Sequence, residues 1–158
     1  MFKDRYHAGQ EFAARLAQYA GERRVVVLGL SRGGLVVAHA IAEILAWPLD
    51  AVIVAKMKVP MDRALAFGAV AEDGDHVLVP WVVETHALSP AFVRHSLEVA
   101  RGEVLRLRDF YREGHPPLDL KGRTVCIVDD GAVTGVSMEA AAPANGAAFD
   151  AALTGAHL

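Results

Sequence analysis

Two rhythms of apolar and polar positions run along this chain. Short unbroken apolar runs mark buried strands: Val25–Leu30, Asp50–Ala55 with its apolar part at Ala51–Ala55, and Arg123–Val128. Between them the period changes to that of helices. Phe12, Leu16 and Tyr19 recur at helical spacing within Ala8–Tyr19, and Gly21 ends that segment. Leu35–Ala46 is apolar almost all round, with His39 and Glu43 as its polar edge, and predicts a helix packed hard on a sheet. Trp47-Pro48 closes it. Strand, loop, helix and strand in this order make a βαβ unit, and so a parallel sheet with a right-handed crossover.

The middle of the chain reads differently. Lys56–Arg63 is irregular in pattern. Leu65–Ala71 and His76–Val83 predict two strands around the turn Glu72-Asp-Gly-Asp75, an antiparallel hairpin. Ser89 is a good N-cap with Pro90 at the first helical position. Behind it Val93, Leu97, Ala100, Val104, Leu107 and Tyr111 form a stripe that predicts a long helix, ending near Gly114. Val25, Ala51 and Thr124 thus begin or lie in three strands expected to be neighbours in one sheet.

Composition narrows the picture. The chain has 158 residues, 53% of them apolar, and a net charge of −3. That fits one globular α/β domain over 1–158 and gives no reason to expect nucleic-acid binding. The basic stretch Arg101–Arg112 is interleaved with acids and reads as a solvated helix face. The single cysteine, Cys126, lies inside an apolar strand, where a buried thiol is expected. No apolar run approaches membrane-spanning length, and the start Met1-Phe-Lys-Asp-Arg-Tyr-His lacks the apolar core of a signal peptide. A cytoplasmic protein without membrane contact is the expectation. The seven histidines show no metal-ligand spacing, and Ser31 lacks a hydrolase elbow.

The chemistry concentrates in Val125-Cys-Ile-Val-Asp-Asp-Gly-Ala-Val-Thr-Gly-Val-Ser137. A buried strand delivers Asp129 and Asp130 to the carboxyl edge of the sheet, where open α/β folds bind ligands. The loop Gly131–Gly135 can turn backbone N–H groups toward an anion as the chain enters a helix at Ser137. Carboxylates beside an anion nest suit a sugar phosphate. An ordinary strand–turn–helix junction is the competing reading, since Asp-Asp-Gly turns are common.

This stretch closely resembles the binding motif for 5-phosphoribosyl-1-pyrophosphate (PRPP) in type I phosphoribosyltransferases. The residues that carry the resemblance are four apolar positions, Val125–Val128, the acidic pair Asp129 and Asp130, small residues Gly131, Ala132 and Val133, then Thr134-Gly135 and Ser137. A second match is Gly29-Leu-Ser-Arg-Gly-Gly34, where the family places its pyrophosphate loop. Ser31, Arg32, Gly33 and Gly34 would take that anion, with the paired glycines allowing close backbone approach and Arg32 a charge-assisted fork. Lys56 stands where relatives often carry a basic residue near the pyrophosphate; here Ala55 precedes it in place of the arginine expected in the most similar bacterial group.

What the resemblance implies is a three-layer α/β fold with a mainly parallel central sheet flanked by helices and a place in nucleotide metabolism; an incomplete sheet would in addition promote a homodimer that covers exposed apolar surface. The activity implied is transfer of ribose 5-phosphate from PRPP to a nitrogen acceptor, usually a nucleobase, with release of pyrophosphate. Asp129, Asp130, Arg32 and Lys56 would carry the catalysis. Asp129 and Asp130 would hold the ribose hydroxyls and help place Mg²⁺ through PRPP and water. The amides of Gly131–Gly135, with the Thr134 and Ser137 hydroxyls, would grip the 5′-phosphate. Two alternatives stay open: a regulatory protein that binds PRPP or a nucleotide without turnover, and an inactive remnant. The family continues past the PRPP loop with a full helix, another core strand and often a hood. Here Pro143 interrupts the helix and Ala144–Leu158 is alanine-rich without a clear strand, so the expectation is a chain cut short before the later strand and hood.

Overall fold

The computed structural model describes residues 2–30, 32–131, 135–141 and 148–154. It divides into two compact units: 1–52 with 117–132 and 142–158, and 53–116 with 133–141.

The first unit is built on a sheet of four parallel strands, β1 (Val25–Leu30), β2 (Leu49–Val52), β6 (Thr124–Asp129) and β7 (Ala148–Thr154). Their order across the sheet is β2-β1-β6-β7. β1 is buried along its whole length, as a strand covered on both faces must be, and this is why it reads as a continuous apolar run. Helix α2 (Gly33–Leu45) packs on β1, β6 and β2, and α1 (Arg5–Leu16) packs on α2. Phe12, Leu16, Val37, Ile41 and Trp47 meet Val25, Val27, Cys126 and Val128 in one core. Asp4 caps α1 by accepting from the His7 amide at 2.7 Å. The Tyr6 hydroxyl donates to Glu43 Oε2 at 2.7 Å and ties α1 to α2.

The second unit holds a three-stranded antiparallel sheet of β3 (Val54–Val59), β4 (Asp62–Ala71) and β5 (His76–Leu78), with β4 in the middle. Helix α4 (Pro90–Arg112) lays the predicted stripe on it: Ala100, Val104 and Leu107 are buried with Phe67 and Val70. The Ser89 hydroxyl caps that helix by accepting from the Phe92 amide. The short helix α5 (Val136–Ala141) packs on β4, β3 and β5.

The α/β class and parallel sheet are as the sequence leads one to expect, with four corrections. Ala51–Ala55 is not one strand: β2 ends at Val52, and Val54 already belongs to the other sheet. Ile53, fully buried in the second core, is the switch point, and an apolar run alone does not say which sheet each half joins. Lys56–Arg63 is not irregular but spans β3, a tight turn and the start of β4; Lys56 and Lys58 are exposed while Met57 and Val59 are buried, the alternation of a half-buried strand. His76–Val83 is strand only to Leu78, because Pro80 opens a short helix α3 (Pro80–Thr85), a position where its missing N–H costs nothing. Finally, a strand does follow Pro143: β7 runs parallel to β6, pairing Thr124 with Ala148 and Asp129 with Thr154. Its alanine-rich sequence has low strand propensity, and pairing with a central strand overrides it.

Candidate functional site

The carboxyl ends of β1 and β6 lie side by side in the first unit, in register from Val25 with Thr124 to Gly29 with Val128. Each strand therefore delivers its following loop to the same sheet edge. Asp129 closes β6 and is 4% exposed. Its Oδ1 accepts a hydrogen bond from the Asp130 amide at 2.9 Å, which fixes the turn out of the strand. Asp130 is half-buried one residue further on.

The loop after β1 closes on this acidic pair. A Cβ at position 34 would lie 2.5 Å from the Val128 carbonyl oxygen and 3.0 Å from Asp129 Cα. One at position 33 would overlap the Asp130 carboxylate and crowd Arg5 Nε. Both positions are glycine because the backbone opening α2 runs directly against the end of β6. Arg32 precedes them at the N-cap of α2, exposed, with φ −106° and ψ −41°.

The residue that pattern reading misses is Arg5. From the first turn of α1 it reaches Asp130, with Nε donating to Oδ2 at 2.7 Å and Nη2 2.7 Å from the same oxygen. No spacing rule could find a pair 125 positions apart. One local signal exists: a cation at a helix N-terminus is disfavoured by the macrodipole, so Arg5 directly after the capping Asp4 asks for an acidic partner.

Of the residues singled out in the sequence, Gly33, Gly34, Asp129 and Asp130 are thus brought together, with Arg32 next to them in the chain and Gly131 following. Ser31, Ala132, Val133 and Thr134 lie outside the described residues. Lys56, Gly135 and Ser137 belong to the second unit. Lys56 is the third residue of β3 and exposed, in register with Ala69; it is not at the end of a parallel core strand as the sequence suggests. Gly135 takes a left-handed φ of 72°, a conformation that favours glycine, and its carbonyl accepts from the amides of Met138 and Glu139 to start α5. Ser137 is 4% exposed, and its hydroxyl is buried without a hydrogen-bond partner among the described residues. An unpaired buried hydroxyl is costly and calls for an explanation.

Among the described residues no three His, Cys, Asp or Glu side chains gather into a metal-binding group. A cation here would have to take most of its ligands from a substrate and water. Mg²⁺ is commonly held in that way, through one or two carboxylates and substrate phosphates, and the donor set of Asp129 and Asp130 fits it. Cys126 is buried in the strand that carries them, and burial pushes its thiol up to about 11. It is therefore a packing residue and no nucleophile at neutral pH. No helix among the described residues is long and apolar enough to cross a membrane.

The model of the phosphoribosyl transferase domain matches residues 2–145. Two curated relatives from Mycobacterium tuberculosis, one from strain CDC 1551 / Oshkosh and one from strain H37Rv, each bear the name "Putative phosphoribosyl transferase". Each is 43% identical over 141 residues, covering 89% of this chain and 32% of the relative. The chain thus spans about a third of the length of the curated relatives it matches. The crystal structure of TT1426 from Thermus thermophilus is similar in fold, with a TM-score of 0.66 and 41% identity, over 89% of this chain and 66% of that one.

Proposed function

This chain belongs to the phosphoribosyl transferase domain family, and from that premise we propose that it binds PRPP together with Mg²⁺ and transfers ribose 5-phosphate to a nitrogen acceptor, releasing pyrophosphate. The observation that carries the reading is the close approach of Gly33 and Gly34 to Val128, Asp129 and Asp130. It supports the reading because the loop that the resemblance assigns to pyrophosphate lies against the acids that it assigns to ribose. One substrate carries both groups on adjacent atoms.

In this reading Asp129 and Asp130 accept hydrogen bonds from the ribose hydroxyls and orient water on the cation. Carboxylates suit both tasks, being acceptors only and negatively charged. Backbone N–H groups of Arg32–Gly34 and the Arg32 guanidinium receive the pyrophosphate. The small-residue loop Gly131–Gly135 and the Thr134 hydroxyl receive the 5′-phosphate. By the family resemblance the Ser137 hydroxyl would do the same. Asp129 and Asp130 would help to hold Mg²⁺, which when bound would supply charge neutralisation on the leaving group.

The bond broken joins the anomeric carbon to pyrophosphate. Its transition state has oxocarbenium character, as in glycoside cleavage. None of the assembled residues need form a covalent bond or act as a general base on the sugar. Their work is to hold the ribose still and to stabilise charge on the departing group.

The test is calorimetric titration with PRPP and Mg²⁺, followed by pyrophosphate release across adenine, guanine, hypoxanthine, uracil and orotate. The expected result is saturable binding and release stimulated by at least one acceptor. Binding without release on any acceptor would instead mark a PRPP sensor. Absence of binding would remove the reading.

A further inference from the structure

We propose that Arg5 is a positioning residue of the PRPP site, fixing the Asp130 carboxylate so that one of its two oxygens is presented to the ribose. The inference rests on the functional reading above and adds to it a residue that lies far outside either sequence motif.

Three observations converge. Both guanidinium contacts, from Nε and from Nη2, end on Asp130 Oδ2. No hydrogen bond to Oδ1 is formed among the described residues. A fork that spans both oxygens of a carboxylate is the frequent arrangement of such a pair. Converging on one oxygen instead locks the carboxylate's rotation and keeps the other oxygen available as an acceptor. Second, the room for this pair is made by Gly33, where any side chain would strike the carboxylate and crowd Arg5 Nε. The loop assigned to pyrophosphate is therefore shaped around the Arg5–Asp130 contact. Third, Arg5 occupies the first turn of α1, where the helix dipole disfavours a cation. Local helix energetics do not account for arginine there; Asp130 does.

The arrangement needs α1 to be held firmly, and it is. Ala8, Phe12, Ala13 and Leu16 are buried in the core with α2. Tyr6, next to Arg5, donates to Glu43 on α2. Arg5 itself is about half exposed, at 48%, so it contributes little to that core.

The experiment compares Arg5→Gln, Arg5→Lys and Tyr6→Phe by calorimetric titration, with PRPP and Mg²⁺, with ribose 5-phosphate alone and with pyrophosphate alone. Arg5→Gln should weaken PRPP and ribose 5-phosphate by a similar factor, about tenfold, as expected when one charge-assisted hydrogen bond is removed. It should leave pyrophosphate unchanged. Because both guanidinium nitrogens meet one oxygen, a lysine ammonium can replace them, so Arg5→Lys should recover most of the affinity. Tyr6→Phe, which loosens the same helix without touching Asp130, should bind like the parent protein. Four results overturn the proposal: normal PRPP affinity in Arg5→Gln, a loss confined to pyrophosphate, Arg5→Lys as weak as Arg5→Gln, or Tyr6→Phe as weak as Arg5→Gln. A parent protein that binds no PRPP would bring down the functional reading itself, an outcome distinct from a parent that binds and an Arg5→Gln variant that binds equally well.

Discussion

Each unit of this molecule contains an arginine–carboxylate pair, and the two are built for different ends. In the antiparallel unit Arg112, at the end of α4, spans both oxygens of Glu72 just after β4: Nε reaches Oε1 at 3.0 Å and Nη2 reaches Oε2 at 2.7 Å. The side chains are 11% and 23% exposed. In the parallel unit Arg5 and Asp130 are 48% and 28% exposed, and both guanidinium nitrogens share one oxygen. The first pair is closed, saturating its carboxylate where helix meets sheet. The second is open, sitting at a sheet edge beside two glycines that keep side chains away. Geometry and burial together separate a pair that holds a fold from one proposed to prepare a site.

That contrast can be broken most forcefully at Arg112. Removing one partner of a part-buried pair strands the other charge, a cost that reaches about 3 kcal/mol when burial is complete. Arg112→Met should therefore lower the denaturant midpoint strongly, and the double variant Arg112→Met with Glu72→Leu should recover much of the stability. A single variant as stable as the parent would show that the Glu72 pair is no structural clamp.

A second test concerns the strand that bears the acids. Cys126 ionises ordinarily near 9.0 and, folded, only near 11, because burial penalises the thiolate. The unfolded chain thus releases its proton first as pH rises. Stability from this group is whole below pH 9 and declines between 9 and 11, by about 2–3 kcal/mol at 1.36 kcal/mol per unit. Cys126→Ala should remove that part of the alkaline decline in chemical denaturation. An identical alkaline slope in the variant would count against a buried neutral thiol beneath the site.

The smallest stability effect belongs to the open pair. Exposed ion pairs are worth about 0–1 kcal/mol, so Arg5→Gln should shift the midpoint by no more than that, even while it weakens ligand binding. A destabilisation as large as that of Arg112→Met would erase the distinction between the two pairs.

How much of this the sequence discloses depends on the range of the forces involved. β6 and its acidic pair are legible because an apolar run, two acids and a glycine loop are contiguous. α4 is legible because its cap at Ser89 and its stripe from Val93 to Tyr111 are local periodicities. The switch from β2 to β3 at Ile53 is not, since both halves of the run are apolar and only pairing partners decide their sheets. Lys56 is misplaced by pattern alone for the same reason. β7 is invisible because its strand state comes from β6 and not from its own residues. The glycines at 33 and 34 read as a turn, yet what requires them is the end of β6, almost a hundred residues later. Arg5 is the extreme case: its meaning lies wholly in an ion pair with the far end of the sequence.

The central claim is that the carboxyl edge of β1 and β6 is a PRPP site, and Asp130→Asn tests it most directly. The amide keeps the shape of the side chain and loses its charge. Calorimetric titration with PRPP and Mg²⁺ should show affinity reduced tenfold to a hundredfold, the equivalent of about 1.5–3 kcal/mol for a charge-assisted hydrogen bond, with the melting temperature close to that of the parent. Unchanged PRPP affinity in a folded Asp130→Asn variant would contradict the account.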